Sequence, residues 1–198
     1  MASKSPRRRE ILKILNIPYI VFSTNNEEKI KEENTRYIRS LIIAISKKKV
    51  WDVARYFSNG LILGVDTAVC FNRRVLEKPE NAQQALKFLK MLSGNKHQVL
   101  SGITIKSASE DISYSSCSVT EVHFTKISDR EMSQYIEQGE WAGKAGGYAI
   151  QGKAAIFVEK IVGSFYNVMG LPVEELYRLL NRFEYFTSSD IYRPVKKV

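Results

Sequence analysis

The stretch 139–152 constrains the fold more than any other part of the chain, because it holds five of the eleven glycines among 198 residues. Glycine at this density is typical of sharp turns, or of a backbone that lies close to a bound ligand. The stretch also carries Lys144, Gln151 and two aromatic residues, which could supply a cation, a two-faced amide and a stacking surface. Taken alone, it fits a hairpin with tight turns as well as a ligand-binding loop.

Composition places the chain among ordinary globular proteins and indicates an anionic partner. It is 44% hydrophobic and 26% charged, with a net charge of +9, and its length suits one domain with a real core. Nucleic acid and a polyphosphate ligand both fit that charge. No apolar run reaches the length of a membrane span and no signal segment follows the basic N-terminus. Cys70 and Cys117 have no metal-binding spacing, and as reduced thiols they predict a cytoplasmic location.

Helical and strand patterns extend over one domain, residues 1–185, which is followed by a loosely held basic tail at 186–198. The first helix begins at Ser5-Pro6, because serine suits the N-cap and proline the first helical position, and it ends before Asn16. The other predicted helices are 35–56, 81–92, 128–138 and 173–182, the last with Tyr177 on its buried face, and the strands are 19–23, 61–65, 98–106, 112–125 and 154–162.

Three arginines, Arg7, Arg8 and Arg9, lie in the first turn of the first predicted helix. The helix dipole is positive there and disfavours each cation by roughly 0.3–1 kcal/mol. An anion bound beside the free N–H groups of that turn would explain the arrangement. A solvated basic patch or a nucleic-acid contact is the alternative.

Asp66-Thr67 stands at the end of the buried strand 61–65, where α/β proteins place catalytic or metal-binding acids, although a turn aspartate fits as well. Several cations with one or two acids suit a polyphosphate held with a divalent metal, and an acid that activates water. The residues of this set are Arg7, Arg8, Lys78, Lys144, Asp66 and Glu28. No Walker-type loop is present, and we interpret His97 and His123 as structural or surface residues.

Six motifs carry a family resemblance in their order and spacing. They are Ala2–Arg8, Gly64–Thr67, Lys78–Pro79, Leu92–Gly94 with His97, Gly143–Gly152 and Asn167–Pro172. Together they resemble the Maf family of nucleoside triphosphate pyrophosphatases, over about residues 2 to 182. The resemblance implies a two-lobed α/β fold with a mixed sheet, similar to inosine triphosphatase, and a nucleotide cleft between the lobes.

The resemblance also implies an enzyme that hydrolyses a nucleoside triphosphate to the monophosphate and pyrophosphate, with Mg²⁺ or Mn²⁺ as cofactor. Asp66 matches the family's proton acceptor, and Asp66 with Glu27 or Glu28 would bind the metal. Positions around the phosphates are matched by Ser5, Arg7, Arg8, Lys78 and Lys144. We expect a nucleotide as the partner, with no membrane and no nucleic acid, and homodimers are common among similar proteins.

Within the family the chain is similar to the branch that acts on dTTP and UTP, which carries an arginine, a threonine and a glutamine, here Arg8, Thr67 and Gln151. A primary amide is both donor and acceptor, and the edge of uracil or thymine presents an N3–H beside carbonyl oxygens. Gln151 therefore suits a pyrimidine, and modified pyrimidine nucleotides are a further substrate class.

Several positions depart from the family pattern. Val65 replaces an alanine, Glu77 replaces a glycine before Lys78, and Met1 directly precedes the first motif. Counting from Tyr37 places the family's helix lysine at Ile45, and Lys47 replaces it only with a shift. These departures favour the alternative function, a catalytically weakened Maf-like protein that binds nucleotide or nucleic acid.

Overall fold

A computed structural model describes residues 1–22 and 37–185 of the chain. Its six α-helices are α1 (Pro6–Ile14), α2 (Ile38–Ala54), α3 (Ala82–Leu92), α4 (Asp129–Glu137), α5 (Phe165–Met169) and α6 (Val173–Asn181). Its five strands are β1 (Leu61–Phe71), β2 (Arg74–Leu76), β3 (Lys96–Ser107), β4 (Ser113–Phe124) and β5 (Val158–Val162). Short 3₁₀ turns lie at Ala145–Gly147 and Lys153–Phe157. Within the two described ranges, no helix is long and apolar enough to cross a membrane.

The strands form one sheet in the order β2-β1-β3-β4-β5. The α/β class is confirmed, but every described strand pair is antiparallel, so the sheet itself is not mixed. The sequence predicted Asp66 at a strand end, and this was wrong for Asp66. It lies in the middle of β1 and pairs with Gly102, because β1 stays in register with β3 from Leu61 to Cys70.

Most predicted helices are confirmed, and local signals explain their ends. Ser128 caps α4 in a capping box with Glu131, and Pro6 opens α1. The strand predicted at 19–23 is wrong for 19–22, which form no strand, although Ile20 and Phe22 make backbone hydrogen bonds with Met1. Tyr177 on α6 is 48% exposed, so its place on the buried face was also wrong. Ser23, Glu27, Glu28 and the tail at 186–198 lie outside the described residues.

Side chains alternate between the two faces of β1. Val65 is fully buried in the main core with residues of α1 and α3. Ile62 and Ala68 pack instead in two smaller clusters with residues of α2. By the same alternation Asp66 is on the α2 face and Thr67 on the opposite face. The valine therefore does not crowd the aspartate, contrary to what its place in the sequence suggests.

Two glycines let α2 lie close to the sheet. A Cβ built on Gly64 would lie 2.5 Å from the Ser46 carbonyl oxygen, and one on Gly102 would overlap the Ile42 carbonyl group. Both obstacles include helix backbone, which has no rotamer to change. The distance between α2 and the sheet, and hence the reach of α2 side chains toward Asp66, depends on these two positions.

Gly102→Ala is expected to destabilise the fold by about 2 kcal/mol or more, because overpacking against backbone displaces a whole helix. Gly60→Ala is the matched control: no heavy atom lies within 4 Å of its added Cβ, and it retains only the strain of a φ of +87°. That strain costs about 1 kcal/mol. Urea unfolding of both variants measures the difference, and an equal or smaller loss in Gly102→Ala would contradict the close approach of α2.

His97 supports the glycine-rich stretch from the core. It is 2% exposed and its Nε2 shares a 2.7 Å hydrogen bond with the hydroxyl of Tyr148, which is 4% exposed. Tyr148 is therefore a core residue rather than a stacking surface, and the structural interpretation of His97 fits this contact. Burial lowers the pKa of His97 to about 4.

This buried imidazole predicts a loss of stability in acid. An unfolded histidine has a pKa of about 6.5, so between there and about 4 the unfolded chain binds a proton that the folded chain does not. The free energy of unfolding should then fall with falling pH by about 1.4 kcal/mol per unit. Urea unfolding at pH 7, 6 and 5 measures this slope. His97→Gln should lose it and His123→Gln should keep it, and identical slopes in all three proteins would refute the assignment.

Candidate functional site

One cleft, of about 820 Å³, collects the predicted site residues. Its lining comes from the start of α1, from β1, from α2, from the glycine-rich stretch and from the turn after α5. The predicted residues that line it are Ser5, Arg7, Arg8, Asp66, Thr67, Lys78, Lys144 and Gln151. Glu28 lies outside the described residues. The sequence thus selected side chains that the fold brings to one place.

Arg8 is a buried structural tie in this cleft. Its Nε–H donates to the Gly170 carbonyl at 2.7 Å, and its Nη1 donates to the Val65 carbonyl at 2.8 Å and to the Ser3 hydroxyl at 2.9 Å. Its Nη2 donates to the Thr67 hydroxyl at 3.1 Å. Burial lowers its pKa to about 10, and the nearby Asp66 partly offsets this. Within residues 1–22 and 37–185, four of its five N–H donors are used, and one is left for a ligand.

Arg7, the preceding residue, has the opposite character. Its guanidinium is partly buried and lines the cleft, yet it makes no hydrogen bond or ion pair within residues 1–22 and 37–185. Burial lowers its pKa, while the nearby Tyr135, Tyr148 and Glu140 act to raise it. A partly desolvated cation whose donors are unused is suited to an anionic ligand. Ser5, the N-cap residue of α1, likewise makes no side-chain capping bond.

Asp66 is held by Lys49 of α2, whose Nζ donates a short hydrogen bond to Oδ1. Both side chains are mostly buried, with 23% and 18% exposed. Burial is the main cause that lowers the pKa of Lys49, and Asp66 acts against it. Arg8 and Lys78 are close enough to lower it further. The carboxylate therefore lies within a group of cations.

The glycine-rich stretch contributes turns rather than a hairpin. Gly146 and Gly147 have φ of +69° and +73°, and the Gly146 N–H donates to the Glu77 carbonyl at 3.1 Å. Glu140 accepts a 2.8 Å hydrogen bond from the Lys153 N–H, which closes the stretch on itself. Lys144, whose Nζ donates to the Ala142 carbonyl at 3.0 Å, lies in the cleft, and burial and the nearby Arg7 lower its pKa.

Among the described charged residues of the cleft, sequence reasoning missed three, Lys4, Lys49 and Glu140. Helical spacing could have found Lys49, since it lies four residues after Ile45 and seven after Ile42, on the stripe that faces the sheet. The position expected for the lysine, Ile45, lies in the core, and the proposed replacement, Lys47, is exposed. Neither position therefore supplies a cation to this site. No sequence pattern singled out Glu140.

The departures that favoured a weakened protein are largely explained by the structure. Lys49 supplies the cation that Ile45 does not. The Val65 side chain points into the main core, and Glu77 is not among the residues that line the cleft. The residues before α1 are also anchored, because the Ala2 N–H donates to the Leu63 carbonyl at 2.8 Å.

The charges of the cleft indicate its ligand. Among the described residues, six cations and two carboxylates line it, the cations being Lys4, Arg7, Arg8, Lys49, Lys78 and Lys144, and the acids Asp66 and Glu140. Such a surplus in a concave site attracts and binds anions. Fold and cleft together define an α/β protein with a site for a polyanionic ligand. In this site the carboxylate of Asp66 is held by Lys49 among the cations.

Comparison with known proteins identifies the family. The Maf-like protein family model matches residues 1–183, and the chain belongs to the Maf family. A dTTP/UTP pyrophosphatase of Methanosarcina barkeri is 39% identical over 183 residues, 92% of each chain. One of Clostridium perfringens is 39% identical over 188 residues, 93% of this chain and 96% of its own. One of Bacillus velezensis is 38% identical over 188 residues, 92% and 95% of the two chains.

The contrast between Arg7 and Arg8 is testable with matched variants. Arg8→Gln should lower the free energy of unfolding by about 2–4 kcal/mol, because it leaves buried carbonyls without donors. Arg7→Gln should change it by less than about 0.5 kcal/mol but weaken the binding of inorganic tripolyphosphate about tenfold. Urea unfolding and titration calorimetry measure the two effects. Equal stability losses, or unchanged tripolyphosphate binding in Arg7→Gln, would contradict these roles.

Proposed function

We propose that this chain hydrolyses dTTP and UTP to the monophosphate and pyrophosphate in the cleft described above. The observation that carries the proposal is the Asp66–Lys49 pair in a cleft where, among the residues that the structure describes, six cations outnumber two carboxylates. The similarity to relatives named dTTP/UTP pyrophosphatase supports the same activity.

The phosphates bind to cations and a hydroxyl that line the cleft. We assign Ser5, Arg7, Lys78 and Lys144 to the triphosphate, together with Lys49. Positive groups placed before the reaction neutralise charge on the phosphate oxygens and the leaving pyrophosphate. Arg8 holds Thr67 and offers its one remaining N–H to the substrate, so its contribution to binding is smaller than that of Arg7.

Asp66 acts as the proton acceptor for the attacking water. The water oxygen forms a bond to phosphorus, the α–β phosphoanhydride bond breaks, and pyrophosphate leaves with the bonding electron pair. The proton of the water passes to the Asp66 carboxylate. Lys49 orients that carboxylate before the substrate binds.

A divalent metal, Mg²⁺ or Mn²⁺, fits this site as an ion that enters with the nucleotide. Within the described ranges, no group of three or more His, Cys, Asp or Glu side chains could hold a metal. Mg²⁺ needs only one or two carboxylates beside phosphate oxygens and waters, and Asp66 supplies one. Glu28 is the second ligand we propose. When bound, the metal adds charge neutralisation at the phosphates.

Gln151 reads the base. Its amide lines the same cleft as the phosphate-binding cations, and it offers an acceptor and a donor to the edge of uracil or thymine. Arg8 and Thr67, which bond to each other, complete the specificity set. A cytoplasmic location and a homodimer stay predictions.

A pyrophosphate-release assay over a panel of nucleotides with Mg²⁺ tests the proposal. Release from dTTP and UTP should exceed that from ATP and GTP at least about tenfold, because a two-ring purine cannot take the place of a one-ring base against Gln151 without moving the sugar and phosphates. Asp66→Asn should lower the rate about 10³-fold, since it removes the proton acceptor. Asp52→Asn, a carboxylate of α2 that pairs with Lys48, is the control and should retain the rate.

Folded protein that releases no pyrophosphate from any nucleotide would refute the function. A fully active Asp66→Asn would instead refute the role of Asp66 alone.

A further inference from the structure

Gln151 has a partner outside the glycine-rich stretch. Its Nε2–H donates to the Oε2 of Glu10 on α1 at 3.1 Å, across 141 residues of sequence. The backbone around it is already held, because the Gly152 N–H donates to the Ala149 carbonyl at 3.0 Å and the Lys153 N–H donates to Glu140. The orientation of the amide is therefore the remaining freedom at this position.

Glu10 is placed for this contact by the helix. It follows Arg7, which lines the cleft, by three residues, so the two side chains are neighbours on α1. Ile11 and Leu12 are turned into the core. The helix that supplies Arg7 to the ligand thus also supplies a carboxylate to Gln151.

We propose that Glu10 is a positioning residue that selects uracil and thymine over cytosine by holding the Gln151 amide in one orientation. An ionised carboxylate only accepts hydrogen bonds, so it must face the NH₂ group of the amide. Turning the amide by 180° would bring its carbonyl oxygen against the carboxylate and lose a charge-assisted bond. The contact leaves Oε1 and one Nε2–H for the base.

The two pyrimidine edges differ in a way that one amide orientation separates. At ring position 3 uracil donates and cytosine accepts, whereas at position 4 uracil accepts and cytosine donates. For a base in one pose, the amide that pairs with uracil must turn over to pair with cytosine. Glu10 opposes that turn, so a cytosine leaves two polar groups unpaired, which is the stronger form of discrimination.

The inference rests on the proposed function, because it takes Gln151 as the reader of the base. Glu10→Gln tests it, since a glutamine both donates and accepts and so permits either orientation. The ratio of kcat/KM for UTP over CTP should fall about tenfold, mainly through better use of CTP, with kcat for UTP nearly unchanged. Glu159→Gln on β5 removes the same charge outside the cleft and should keep the wild-type ratio.

A double variant separates positioning from a general effect of charge. If Glu10 acts through Gln151, then adding Glu10→Gln to Gln151→Ala should leave the UTP to CTP ratio unchanged. A further fall in the double variant would show that Glu10 acts on the substrate by another route and would overturn the proposal.

Binding of the α,β-imido analogues of UTP and CTP, measured by calorimetry with Mg²⁺, keeps the two hypotheses apart. If the wild type hydrolyses UTP and Glu10→Gln keeps the wild-type preference for UTP over CTP, the role of Glu10 is overturned and the proposed function is not. Wild type that hydrolyses nothing overturns the function, and the analogue affinities then decide the role of Glu10. A preference for the UTP analogue that falls about tenfold in Glu10→Gln supports it. Equal affinities in wild type, or an unchanged preference, overturn it.

Discussion

The buried guanidinium of Arg8 is the interaction on which the cleft depends. It joins three segments that are far apart in sequence, namely the residues before α1 at Ser3, strand β1 at Val65 and Thr67, and the turn at Gly170. A buried charge destabilises a fold unless its donors are satisfied, so these segments must meet in one arrangement. That arrangement places the first turn of α1 beside β1. Arg7, the neighbour of Arg8, has no hydrogen bond or ion pair among the described residues and can bind a ligand.

The second constraint is the close approach of α2 to the sheet. Gly64 and Gly102 have no side chains to separate the two, and Lys49 consequently reaches Asp66. The result is one carboxylate, Asp66, surrounded by cations. The protein only partly offsets the repulsion among these cations. A polyanion relieves that repulsion, and the same preorganised charge stabilises a transition state in which negative charge moves to a leaving phosphate.

The sequence predicted the helices and most of the residues that line the cleft. The features that it missed depend on tertiary contacts. Pro6 and the apolar spacing after it give α1 directly, and the predicted site residues that the structure describes meet in one cleft. The position of Asp66 within β1 was missed, because strand length is set by pairing with β3 rather than by the residues of β1 alone. The structural role of Arg8 was out of reach for a similar reason, since its carbonyl partners lie 57 and 162 residues away.

The central claim is that one cleft binds the triphosphate through cations from α1, α2 and the glycine-rich stretch while Gln151 contacts the base. A crystal structure with Mg²⁺ and the α,β-imido analogue of dTTP tests it most directly. The account predicts phosphate oxygens against Arg7, Lys78 and Lys144, and the edge of thymine against the Gln151 amide, with Glu10 still bonded to it. An analogue bound outside this cleft, or bound with its base away from Gln151, would contradict it.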